Sequence, residues 1–369
     1  MNKITASIIL GSYLDTLGFY NGTWEFNYNL KIKNLMDCIY VNYSIVHQFF
    51  ALGGFNINIS EWNASDDTIM MLATIKACKN GGMIENFKTE YIKILPLLEE
   101  KKRGSGVTTL KSLRNLAKGK KINYSDTMGG NGAAMRTSYI GIYFKDDIKK
   151  LLEMSILSSR LTHNYPLGFL GGMVTALFTS FAIKNIEPWK WCDMLLDINT
   201  NGTLDNIMKK MPNYNEYIKD KDIFWNPWNK YKEYRMNKFD IKPSEFIHGI
   251  DRIKDLIGIL YNMNDINNGT INYDKFGSTG ASATIIAYDS ILMSITNKNN
   301  TDSILNLKND NLSYNWDSLV FFSTLHFGDN DTIGTIAGNW FGALRGFEGV
   351  KPNLLEQLEF KTEIKKLSN

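Results

Sequence analysis

The chain has 369 residues, 44% of them hydrophobic and 21% charged, which fits a globular protein with a sizeable core in one large domain or two. Its 41 basic and 38 acidic residues leave a net charge of only +3 with no basic block, so electrostatics argues against a nucleic-acid partner. Three scattered cysteines, Cys38, Cys78 and Cys192, lack metal-ligand spacing and point to a reducing, cytoplasmic setting.

The apolar pattern of residues 3–19 predicts a helix. Asp15 interrupts its apolar run and no cleavage-like site follows, so it is not read as a signal peptide. A turn, FYNGTWEF (Phe19–Phe26), comes next and contains Glu25, on its own an ordinary loop carboxylate. Residues 33–52 are an amphipathic helix closed by Gly53-Gly54. Then Ser65-Asp66-Asp67-Thr68 opens a helix over 67–79. Capping of that helix explains one acidic residue well and two adjacent ones poorly, because neighbouring anions repel unless a positive group lies between them. Helical pattern resumes over 85–100. Two glycine loops, Arg103–Leu110 (RGSGVTTL) and Thr127–Arg136 (TMGGNGAAMR), each lead into a helix. They are read as plain turns or as phosphate sites at helix N-termini, and neither matches a dinucleotide fingerprint or a P-loop.

His163 lies in SSRLTHNYPLGFLGG (Ser158–Gly172), either a core histidine or a site residue, and no second histidine stands at zinc-ligand spacing. Pro166–Ile183 is the longest apolar run; its Thr175, Thr179 and Ser180 favour a buried core helix over a membrane span. Residues 185–245, rich in Trp, Tyr, Asn and Lys, read as an irregular, partly helical insert, and helix returns at 245–263. Gly277–Gly280 is a loop entering an apolar helix, Asp317–Leu325 is a further helix, and Pro352–Asn369 is a charged amphipathic one. With no repeat, linker or strand alternation, the expectation is a single all-α domain over 1–369, monomeric and without a membrane partner.

The chain is organised around His326–Phe347, HFGDNDTIGTIAGNWFGALRGF. Gly334, Gly338, Gly342 and Gly346 recur at every fourth position and so share one helical face. Each glycine in a helix interior costs about 1 kcal/mol against alanine. Four of them imply a buried helix that another backbone approaches closely. At its start stand Asp329, Asp331 and Thr332, a second cluster of hard oxygen donors to set beside Ser65–Thr68. Four carboxylates with neutral hydroxyls select Mg²⁺, Mn²⁺ or Ca²⁺, and two divalent ions would balance their charge. The glycine and glutamate of an EF-hand are not at their offsets. The residues alone stop at a dinuclear hydrolase of a phosphate-bearing or sugar substrate; a phosphatase or nuclease is disfavoured because no arginine or lysine cluster accompanies the carboxylates.

FYNGTWEF, SDDTIM, GGNGAAMR, SRLTHNYPLGFLG, TIIAYDSIL and GDNDTIGTIAGNWFGALRGFEGV together resemble the ADP-ribosylglycohydrolase family, closest to its ADP-ribosylarginine hydrolases, in the family's order and over nearly the whole chain. The resemblance implies a compact all-α orthogonal bundle with two Mg²⁺ ions (Mn²⁺ as an alternative) at the bottom of a cleft. It makes Ser65, Asp66, Asp67, Asp329, Asp331 and Thr332 the metal ligands, Asp66 and Asp67 the catalytic pair, and Glu25 the glutamate of a flap over the substrate. Gly104, Ser105, Gly106, Gly130, Asn131, Gly132, His163, Asn164, Tyr165, Gly277 and Ser278 would line the ADP-ribose cleft, with Tyr273 or Phe276 stacking on adenine. The implied activity removes ADP-ribose from arginine of an ADP-ribosylated protein. Serine, poly(ADP-ribose) or O-acetyl-ADP-ribose linkages, or ADP-ribose binding without turnover, are the alternatives. The chain departs from the family pattern in LDTLG, which lacks a glycine before the aspartate. It departs again in Ala281-Ser282-Ala283-Thr284, where His-Asp-Ala-Pro is typical, and in lacking part of a Trp-Gly-Gly run.

Overall fold

The computed structural model describes residues 2–25, 32, 34–235, 249–261, 276–297 and 312–368. Among them the helices run α1 (Lys3–Phe19), α2 (Leu35–Ala51), α3 (Asp66–Lys79), α4 (Ile84–Lys93), α5 (Leu95–Leu98), α6 (Val107–Ala117), α7 (Ser138–Tyr143), α8 (Ile148–Arg160) and α9 (Pro166–Ile183). They continue with α10 (Trp191–Thr200), α11 (Thr203–Met208), α12 (Tyr214–Asp220), α13 (Asp222–Tyr234), α14 (Gly249–Leu260), α15 (Gly280–Met293), α16 (Trp316–Thr324), α17 (Asn330–Arg345) and α18 (Lys361–Ser368). The all-α expectation holds, with one addition. A short antiparallel hairpin pairs β1 (Ile295–Asn297) with β2 (Leu312–Tyr314) in the register Ile295–Tyr314.

The glycine face of α17 lies directly on α1. A Cβ added at Gly338 would sit 2.5 Å from the Leu10 carbonyl oxygen, and one at Gly342 would sit 2.4 Å from the Ser7 nitrogen. The fit is reciprocal: a Cβ at Gly18 would lie 2.4 Å from the Asn330 carbonyl oxygen. Ser7 Oγ donates to the Asn339 carbonyl at 2.8 Å across the same seam. Gly346 does not belong to this contact. It follows α17 with φ 65° and ψ −127°, a backbone conformation open to glycine, and among the described residues nothing lies within 4 Å of an added Cβ. The seam holds the N-terminus of α17 against the C-terminal half of α1, and that fixes where Asp329 and Asp331 can be.

Around this pair packs α9, the one helix among the described residues long and apolar enough to cross a membrane. It is 89% buried inside the protein, and its Thr175 carbonyl accepts the Trp340 indole N–H of α17 at 3.0 Å. Two sequence expectations need correction. The described part of residues 185–245 is regular, α10 to α13, because Trp191, Trp225, Trp228 and Tyr231 turn inward and give those helices a buried face. The tail is helical only from Lys361; Leu354–Gln357 before it is a single 3-10 turn.

Candidate active site

Both acidic clusters arrive on helix N-termini. Ser65 is the N-cap of α3, its Oγ accepting the Asp67 N–H at 3.1 Å. Capping therefore accounts for Ser65 and leaves Asp66 and Asp67 free for another role. Asp329 caps α17 through the Thr332 N–H at 3.3 Å, which also donates to Asp331 Oδ1 at 2.9 Å. The Trp24 carbonyl accepts from Asn330 Nδ2 at 3.0 Å, which ties the Glu25 turn to the start of α17.

These segments enclose a cavity of about 220 Å³. Its acidic side is Glu25, Asp66, Asp67, Asp329 and Asp331 with Thr332. The other wall is Gly104, Gly106, Gly130, Asn131, Gly132, His163 and Ser278, joined by Thr109 and Met135, which the sequence did not single out. The two glycine loops are braced from behind. Asn131 N–H donates to the Ser278 carbonyl at 2.9 Å, and Asn131 Nδ2 reaches both the Gly277 carbonyl (2.8 Å) and Asp329 Oδ2 (2.6 Å). Gly277 takes φ 88°, and a Cβ there would lie 2.9 Å from that of Asp329. Ser105, between the lining Gly104 and Gly106, has a buried hydroxyl without a partner.

Several residues expected at the site lie off the cavity wall. Ser65 Oγ donates away from it, to Asp15 Oδ1 at 2.5 Å. Asn164 is engaged by Arg160 Nε (2.7 Å) and the Ile122 carbonyl (3.1 Å). Tyr165 sits at the start of α9 with its ring edge-on to Tyr124. Phe276 is fully buried, its ring against Phe327 and His326, so it has no free face for a purine; its carbonyl instead accepts the Asp329 N–H at 3.0 Å. Tyr273 lies outside the described residues.

The sequence reading missed Asp15. It is wholly buried and accepts from Ser65 Oγ, from the Thr68 N–H (3.2 Å) and from the Thr68 hydroxyl, so it sits behind the acidic pair. Burial pushes its carboxyl up to about 6 against the pull of those hydrogen bonds. The same cause, reinforced by neighbouring anions, raises Asp66 to about 7 and raises Glu25, Asp67 and Asp331 well above the ordinary carboxylate range. Asp329 is raised as well, burial again outweighing its hydrogen bonds. Arg136, whose charge feels that of Asp66, spends its guanidinium on the Gly132 and Ser158 carbonyls and Thr162 Oγ1.

Six crowded carboxyls, none of which forms an ion pair among the described residues, suit a site completed by positive charge. Asp67 Oδ2 is buried with no hydrogen-bond partner, an orphan of the kind a metal ion satisfies. The donor set is all oxygen, which fits a hard divalent cation. Among the described residues no three such side chains already converge on one ion position, so the fit is one of donors and charge. A larger groove of about 730 Å³ between the C-terminal end of α3 and α18 with the residues just before it is a surface feature lined by mixed charges, among them the Lys76–Glu363 pair at 2.5 Å.

An all-α scaffold presenting two acidic helix N-termini and two glycine loops to one cavity has the makings of a hydrolase for a polar, phosphate- or sugar-bearing substrate. The chain belongs to the ADP-ribosylglycohydrolase family, whose sequence profile matches residues 2–369. It is 34% identical over 380 residues to a protein of Acanthamoeba polyphaga mimivirus named as an ADP-ribosyl glycohydrolase, covering 96% of this chain and 67% of that one. It is 30% identical over 394 residues to ADP-ribosylhydrolase ARH1 of Dictyostelium discoideum, covering 99% and 92%. Among solved structures, an ADP-ribosylglycohydrolase-related protein complex superposes with a TM-score of 0.52 at 13% identity over 99% of this chain and 95% of that one, a likeness of fold.

Proposed function

We propose that this protein hydrolyses the N-glycosidic bond between ADP-ribose and the guanidine nitrogen of a modified arginine, with Mg²⁺ as cofactor. The observation that carries this is the single cavity shared by Asp66, Asp67, Asp329, Asp331 and Thr332 on one side and the glycine loops on the other. Family membership and the relation to ADP-ribosylhydrolase ARH1 support the ADP-ribosyl substrate class.

Asp66, Asp67, Asp329, Asp331 and Thr332 would hold the two ions, which when bound supply charge compensation and Lewis acidity; Ser65, whose hydroxyl is spent on Asp15 and the Asp67 N–H, would position the acidic pair from behind. Asp66 and Asp67 orient a water toward the anomeric carbon of the distal ribose and take up one of its protons. The new carbon–oxygen bond forms as the carbon–nitrogen bond breaks, the guanidine nitrogen keeps the electron pair of that bond, and the proton taken from the water passes to it, giving ADP-ribose and unmodified arginine. Glu25, whose carboxylate lies against Gly104, closes the cavity from the flap side. The glycines of the Gly104–Gly106 and Gly130–Gly132 loops put no side chain into this wall, which leaves room there for the pyrophosphate.

A second reading, a linkage other than arginine, draws on one departure from the family pattern. Where the family typically carries His-Asp-Ala-Pro, Ser282 forms a capping box with Thr279, each side chain meeting the other's backbone N–H at 3.1 Å. Those hydroxyls cap α15, and acceptor-side selectivity would change with them. The test is hydrolysis of matched arginine- and serine-linked ADP-ribosyl peptides, with Mg²⁺ and with EDTA, by wild type and by the Asp66→Asn/Asp67→Asn double variant. Arginine release that disappears with EDTA and in the double variant is expected. Release from serine alone would move the substrate, and binding of ADP-ribose without release would make the protein a reader.

A further inference from the structure

His163 stands on the cavity wall with one ring nitrogen engaged from behind. Its Nδ1 lies 2.8 Å from Thr162 Oγ1, which in turn lies 2.7 Å from Arg136 Nη2. Arg136 is fully buried, its guanidinium stacked 4.8 Å over the Tyr91 ring, and it donates also to the Gly132 and Ser158 carbonyls. A guanidinium only donates, so Thr162 Oγ1 must accept from it. The hydroxyl proton then has two acceptors in reach. One is His163 Nδ1; the other is the Ser159 carbonyl at 3.5 Å, already taken by the backbone N–H groups of Thr162 (3.1 Å) and His163 (2.9 Å).

We propose that Arg136 and Thr162 are positioning residues that hold His163 in one tautomer, protonated on Nε2, so that the cavity wall presents a fixed, uncharged hydrogen-bond donor to an acceptor oxygen of the substrate. With the proton on Nδ1, Arg136 and His163 would both donate into one hydroxyl oxygen, and the Thr162 proton would be left with the 3.5 Å contact. Two glycines make room for the ring. A Cβ at Gly132 would lie 2.7 Å from His163 Cε1, and one at Gly130 would lie 3.3 Å from Nε2. Burial, with the charge of Arg136, pushes the imidazole down to about 3, so it stays neutral at physiological pH and adds no proton-accepting group to the wall. The role is that of a donor set in place before substrate arrives. The tautomer is independent of the function proposed above; that the acceptor oxygen belongs to an ADP-ribosyl group rests on it.

The experiment is long-range ¹H–¹⁵N correlation of the full chain labelled with ¹⁵N-histidine, with His163 identified by loss of its signals in His163→Asn. Wild type is expected to show an unprotonated Nδ1 and a protonated Nε2; a protonated Nδ1 would overturn the proposal, whatever the variants do. Thr162→Val is expected to give a mixture of tautomers and to weaken ADP-ribose binding, measured calorimetrically, about tenfold, the scale of one hydrogen bond. Thr162→Ser is expected to restore both. A Thr162→Val protein that keeps a single Nε2–H signal and wild-type affinity would remove Arg136 and Thr162 from the role. Failure to cleave arginine-linked peptides would leave the tautomer assignment standing, so the two readings fail separately.

Discussion

Asp15 has no exposed surface and yet takes three hydrogen bonds from the segment that carries the acidic pair. Its two oxygens are divided between Ser65 and Thr68, so both ends of the Ser65–Thr68 turn are held from beneath. In Asp15→Asn one of those oxygens becomes an amide N–H₂ facing a donor, and the turn loses its fixed shape at a cost of about 1–3 kcal/mol. Removing one of six crowded carboxyls also relieves repulsion, which offsets part of that loss in the metal-free protein. The larger effect therefore falls on ion binding, where lost support of a ligand typically weakens affinity about 10–100-fold. Calorimetric titration with Mg²⁺ is expected to show that weakening, and an unchanged affinity would mean that Asp15 only fills space. The sequence marked Asp15 as a break in an apolar run and as the aspartate of LDTLG, without a role at the site. Its partners are 50 and 53 residues away, and a single aspartate in a helix carries no sign of a contact made so far along the chain.

Helix spacing, by contrast, is a local property and was readable. The four-residue glycine period predicted the close approach of another backbone to α17, and α1 is that backbone. Gly338→Ala would drive a methyl to 2.5 Å from the Leu10 carbonyl oxygen, a backbone atom that cannot rotate away. We expect a loss of about 3 kcal/mol, at the upper end for overpacking, and weaker Mg²⁺ binding as α17 is pushed off α1. Gly258 in α14 is the control. Among the described residues nothing lies within 4 Å of its added Cβ, so Gly258→Ala should be neutral or stabilise by up to about 1 kcal/mol through helix propensity. Equal thermal midpoints for the two variants would show that the seam is looser than its geometry. The 185–245 region was misjudged for the opposite reason. Phe224, Trp225, Trp228 and Tyr231 recur at helical spacing, but the polar residues among them hide that face, and α9, α15 and α17, against which the rings pack, turn them into core. The acidic and glycine motifs of the site were legible because each is contiguous; the enclosure of Phe276 and the capping role of Ser282 were not, because each depends on a neighbouring element.

At the scale of the molecule, α13 and α14 meet α15 at one buried carboxylate, in addition to the ring packing of α13. Asp289 of α15 accepts from Arg235 Nε at 2.8 Å and Tyr231 OH at 2.9 Å on one oxygen, and from Arg252 Nε at 2.6 Å on the other. Arg252 also reaches the Phe322 carbonyl and Ser290, so α14, α15 and α16 meet there. The same α15 begins beside Ser278 on the cavity wall, which links this anchor to the site. Burial alone would push the Asp289 carboxyl up, but the two guanidiniums outweigh it and hold it at about 2, below its ordinary 3.8. A depressed native pKa means that protons favour the unfolded chain. The stabilisation from Asp289 is therefore complete above about pH 4 and is lost as pH falls through about 2, an effect on the order of 2 kcal/mol. Other acids and the buried histidines titrate over the same range, so the useful quantity is a difference. Near pH 6, Asp289→Asn leaves two buried guanidiniums short of their anion and should cost about 3–5 kcal/mol. Denaturant unfolding of wild type and variant should show that gap shrink by roughly 2 kcal/mol between pH 5 and pH 2, because the wild-type carboxyl becomes neutral there too. A gap that stays constant would mean that Asp289 holds these helices by shape and hydrogen bonding, with its charge contributing nothing.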